Sequence, residues 1–105
     1  MKTGITVIAY MTAKSGHEDQ VRDALLDLVA HTRKEKGCIN YDLHQSAENA
    51  AQFVMYENWD TAADLDAHAK ASPLQTFVRI AGSRLERPAE VSKWTMVSEP
   101  SCQSS

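Results

Sequence analysis

The chain has 105 residues, of which 43% are hydrophobic and 24% charged, and a formal net charge of -3. That length fits one domain with a modest core, and the composition is that of an ordinary globular protein. Interspersed charges of slightly acidic balance give no positive field for a phosphate backbone, so nucleic acid is not an expected partner. No run approaches the roughly 20 apolar residues of a membrane span.

The first nine-residue run, Ile5 to Ala13, is rich in β-branched and aromatic residues and reads as a strand. Ser15 and Glu18 then have the spacing of a capping box. Val21, Ala24, Leu25, Leu28, Val29 and Thr32 follow on one helical face. Gly37 is the expected stop after the basic run RKEK. Cys38 to Ser46 and Gln52 to Trp59 read as a hairpin, the first strand placing Ile39, Tyr41 and Leu43 on one face. Asp60 or Thr61 caps the next helix, Ala62 to Ala71. Pro73 begins a further helical segment along which Leu74, Phe77, Ala81 and Leu85 share a face. Val91 to Val97 is the last expected strand, and residues 99–105 form a polar tail outside a single domain of residues 1–98. The order β-α-β-β-α-β predicts a ferredoxin-like α+β fold with an antiparallel sheet.

Cys38 and Cys102 provide neither a disulfide framework nor zinc spacing and read as reduced thiols. His17, His31 and His44 form no ligand pair, so no metal is expected. No glycine-rich nucleotide motif is present. The amino-terminal apolar run imitates a leader, but Thr3, Thr6 and Thr12 interrupt it, and the cytoplasm is the expected compartment.

Three of the strands carry apolar groups on both faces, whereas the helices can cover only one. The uncovered face predicts a homodimer with sheets packed face to face. On the helix after Trp59, His68 follows Leu65 by three residues and so lies at the inward stripe. Periodicity leaves His68 and Trp59 open between core filling and a cleft, and the same holds for Tyr10, Tyr41 and Tyr56. Phe77 is placed to form a wall opposite the sheet. Arg79, Arg84 and Arg87 read first as a solvated helix face, with an anion at a cleft edge as the other possibility.

Gly37, Cys38 and Tyr41, then Phe53, Tyr56, Glu57 and Trp59, then Leu65 and His68 resemble the pattern of the antibiotic biosynthesis monooxygenase family. The similarity extends over about residues 4 to 98. It implies a dimeric α+β barrel and oxygenation of an electron-rich aromatic, such as a quinol, by O₂ without metal or flavin cofactor. It casts His68 as the catalytic proton-handling group, Tyr41 as a catalytic hydroxyl donor, and Trp59, Tyr56 and Phe77 as substrate-binding residues, Tyr56 also through its hydroxyl. Other members of the wider group resemble isomerases of small phosphorylated signalling molecules, heme degraders, or proteins without demonstrated activity. Heme degradation is disfavoured, because the first strand lacks Asn and His68 stands where those enzymes are expected to carry Trp. A dimer that binds an aromatic metabolite without turnover is the competing class.

Overall fold

In the computed structural model, residues 4–99 are described. Cys102 and most of the expected tail lie outside them. The elements are β1 (Ile5–Thr12), α1 (Glu18–Thr32), β2 (Cys38–Gln45), β3 (Gln52–Trp59), α2 (Ala62–Lys70), α3 (Ser72–Ala81), a 3₁₀ turn (Gly82–Arg84) and β4 (Glu90–Trp94). The sheet order is β2-β3-β1-β4, and every pairing is antiparallel. β1 and β2 flank β3 and run parallel to one another, which is the split βαβ unit of the ferredoxin-like fold.

Period-two alternation sorts the sheet into two faces. Val7, Ala9 and Met11 of β1 and Phe53, Met55, Glu57 and Trp59 of β3 are buried towards the helices. Val21, Leu25, Leu28 and Val29 of α1 and Phe77 and Ala81 of α3 close the core over them. The other face carries Tyr10 of β1 and Trp94 of β4, each about half exposed, with Tyr56 on β3 and a polar chain at the β2 end. In that chain Thr6 donates to Asn58, Asn58 donates to Asn40 at 2.9 Å, and Asn40 donates to Asp42 at 3.2 Å. Among the described residues no helix is long and apolar enough to cross a membrane.

Several local expectations are corrected. Ser15 does not cap α1: Gly16, at φ 87, belongs to a turn closed by His17 N–H on Lys14, and the helix starts at Glu18. Glu18 instead accepts from the Gly16 N–H at 3.1 Å. The helix ends at Thr32, so the RKEK run is turn rather than last helical turn. Gly37 is nevertheless required, since at φ 80 it starts β2 where a Cβ would overlap the Asp64 carboxyl of α2. Ile39 is exposed because the register shifts between Cys38 and Asn40. Ala69 is exposed as well, leaving Leu65 and His68 as the buried residues of α2. β4 ends at Trp94, short of the expected Val97.

Thr61 caps α2 by accepting from the Asp64 N–H at 3.0 Å. The chain then breaks at Ala71, which is extended, before α3 carries Pro73 in its first turn. Proline has no N–H for the Ala69 carbonyl, and the Gln75 side chain supplies that donor at 2.9 Å. The break turns the chain from α2 into α3, and a cleft lies between this helical arm and the sheet.

Candidate functional site

The cleft has a volume of about 800 Å³ and lies between the helix-side face of the sheet and the α2–α3 arm. Its floor is Val7, Ala9, Met11 and Met55, and its helical walls include Leu25, Leu65 and Phe77. Apolar walls of this extent suit a small, mostly hydrophobic ligand. Polar side chains that break the apolar surface include Tyr41 from β2, Glu57 from β3 and His68 from α2.

His68 is 4% exposed. Its Nδ1 lies 2.9 Å from Oε1 of Glu35, in the turn between α1 and β2. A carboxylate can only accept, so Nδ1 carries the proton of that bond. The close approach of that turn to α2 depends on Gly37, where a side chain would strike Asp64. Trp59 packs against the imidazole at 4.7 Å between ring centroids and an interplanar angle of 32°, while Tyr41 meets it edge-on at 5.4 Å. Both rings fix the histidine's orientation.

Trp59 is fully buried, and its indole Nε1 donates to Oε1 of Glu57 at 2.9 Å. Burial pushes the Glu57 carboxyl up from the usual carboxylate range to about 7, against the pull of that bond. Burial also raises the Tyr41 phenol, followed by the nearby Glu57 and Glu35 carboxylates, so Tyr41 remains a neutral O–H donor at physiological pH. Tyr41 sits opposite Glu57 in the β2–β3 register, which places its ring on the cleft floor beside the acid.

The fold thus brings His68, Tyr41 and Phe77 to one cleft. Trp59 stands behind His68 and does not line the space itself. Tyr56 does not join them. It lies three residues from Trp59 on the same strand, which places it on the opposite face, half-exposed beside Ile8 of β1. Arg79 lines the cleft mouth together with Arg87, which pairs with Glu86 and Glu90. Two residues that were assigned no site role from the sequence complete the arrangement. Glu57 had a legible signal, an acid at the inward parity of a strand otherwise filled by Phe53, Met55 and Trp59. Glu35 had none, because an acid within RKEK reads as solvated.

An imidazole backed by a carboxylate, open to an apolar cleft, can take a proton from a bound hydroxyl and return it later. The family model for antibiotic biosynthesis monooxygenase matches residues 4–80. YcnE of Bacillus subtilis (strain 168) is 30% identical over 87 residues, covering 83% of this chain and 92% of its own length. The structure of PA3566 from Pseudomonas aeruginosa is 33% identical with a TM-score of 0.86, over 93% of this chain and 98% of that one. Rv0793 from Mycobacterium tuberculosis superposes with the same TM-score at 27% identity, over 94% of this chain and all of the other. The chain belongs to the antibiotic biosynthesis monooxygenase family.

Proposed function

We propose that the protein is a monooxygenase that oxidises a quinol or related polyphenol with O₂, and that it works as a homodimer. The observation that supports this most is the His68–Glu35 pair set into a largely apolar cleft. YcnE and Rv0793 carry names that assign monooxygenase activity provisionally, which favours the same reading.

The reaction needs no separate reductant. A hydroquinone and one O₂ balance to a hydroxyquinone and one water, the substrate supplying all four electrons. Nε2 of His68 accepts the phenolic proton, and the resulting imidazolium is held by the Glu35 carboxylate. The phenolate passes one electron to O₂, and the radical pair joins in a carbon–oxygen bond. His68 then returns its proton to the outer peroxide oxygen. As the O–O bond breaks, water leaves, and the carbon that held hydrogen becomes a carbonyl. Phe77 and the aliphatic floor hold the ring and keep bulk water away from the peroxide, and the Tyr41 hydroxyl donates to developing oxygen charge.

The dimer reading draws on the second sheet face, where Tyr10, Tyr56 and Trp94 lie open. The isomerase reading gains one observation, Arg79 at the cleft mouth, where a phosphate would meet it. Conversion of substrate in anaerobic solution would favour the isomerase, and substrate-dependent oxygen uptake favours the monooxygenase.

A further inference from the structure

The reaction just described uses one acid–base unit, yet the cleft contains a second that it leaves idle. Glu57 is 4% exposed and lines the cleft floor from β3, whereas His68 comes from α2 and Glu35 from the α1–β2 turn. One carboxyl oxygen is fixed by the Trp59 indole N–H, and the other takes no hydrogen bond among the described residues. That second oxygen is not enclosed by protein, so a ligand or solvent can meet it. Here the space in front of it is the cleft itself.

The geometry points to Glu57 as a ligand-contacting acid–base group, which takes a second oxygen of a dioxygenated aromatic ring while His68 takes the first. The inference rests on the reading that the cleft binds such a ring. As a carboxylate Glu57 accepts from the O–H of a diol; as a neutral acid it donates to the C=O of a dione. Both forms are accessible because burial holds the carboxyl near neutrality. The other ionisable groups around the carboxyl are Tyr41 and Cys38 on β2, His68 on α2, Glu35 behind His68, Arg79, Glu86 and Arg87 at the mouth, and Lys93 across β1 on β4. β1 and α1 present only apolar groups, Val7, Leu25 and Leu28.

The test is carboxyl NMR on protein labelled with ¹³C-glutamate, under anaerobic conditions so that no turnover occurs. The Glu57 resonance is identified by its loss in Glu57→Gln, and independently in the unsubstituted protein by its Overhauser contact to the Trp59 indole N–H. Without ligand it titrates with a midpoint near neutrality. Saturating 1,4-dihydroxynaphthalene lowers the midpoint by half a unit or more, and 1,4-naphthoquinone raises it by as much. Glu57→Gln, which keeps an acceptor for Trp59, weakens anaerobic binding of the diol about tenfold by calorimetry and removes the pH dependence of that binding. If both ligands bind and leave the midpoint where it was, Glu57 only supports Trp59 and the inference is wrong. If neither ligand binds to the folded protein, the cleft reading falls with it. Oxygen uptake is measured separately, so binding without turnover overturns the monooxygenase reading alone.

Discussion

The two faces of one sheet are put to different uses. On the helix side, buried polar groups are engaged with one another: Glu57 with Trp59, Tyr41 edge-on to His68, His68 with Glu35. On the other side, aromatic side chains lie half-exposed beside a polar chain from Thr6 through Asn58 and Asn40 to Asp42. Burying a titratable group costs free energy unless it is paired, and the cleft side carries that cost where chemistry gains from it. The open side stores nothing comparable, and its exposed aromatic groups are what the proposed dimer would cover. Substitutions on the two faces therefore fail in different ways.

The largest expected effect is on the cleft side. Trp59→Ala leaves a cavity behind His68 and unpairs Glu57, and is expected to cost about 3–5 kcal/mol in urea unfolding. A loss below about 1 kcal/mol would mean that Trp59 does not hold the site together. Next comes the pH dependence of stability. The folded-state pKa of Glu57, about 7, lies above its ordinary value of 4.5, so between those limits the folded protein binds more protons than the unfolded chain. Stability from this group is complete below about pH 4.5 and is lost as pH rises through about 7, by on the order of 3 kcal/mol. Glu57→Gln should remove this component, so that the variant gains on the parent as pH rises from 5 to 8; parallel stability curves would place the carboxyl in its ordinary range.

Glu35→Gln tests the pairing that orients His68. A hydrogen bond to a charged group contributes about 1.5–3 kcal/mol, so the turnover rate is expected to fall on the order of ten- to a hundredfold with little change in KM. An unaltered rate would make Glu35 a bystander. The smallest effect on the cleft belongs to the open face. Tyr10→Ser with Trp94→Ser should halve the mass seen by light scattering at micromolar concentration, while the Glu57 midpoint stays put. An unchanged mass, whether of one chain or of two, would end the proposal that this face joins two copies.

Much of the fold is legible in the sequence because its elements have clear periods. The alternation of Phe53, Met55 and Trp59, and the Val21, Leu25, Leu28 stripe, name both the elements and their buried faces. Ser15 and Gly37 are misread for a shared reason: a local cap signal is only one use of those residues. Gly16 takes the turn before Ser15 can cap, and Gly37 serves the meeting of a turn with α2 rather than a helix end. In the site, His68 follows from its spacing to Leu65, and Tyr56 could have been assigned to the far face by counting parity from Trp59. Glu35 could not be found that way. Its partner is 33 residues on, and only the packing of the α1–β2 turn against α2 brings them together.

Oxygen consumption by the metal-free protein, followed for a panel of quinols, addresses the central claim most directly. The account predicts uptake of one O₂ per quinol, a hydroxyquinone product, no turnover without oxygen, and a fall of about 10²–10⁴-fold in His68→Ala that remains folded. No uptake with any quinol that binds, or undiminished uptake in His68→Ala, would contradict it.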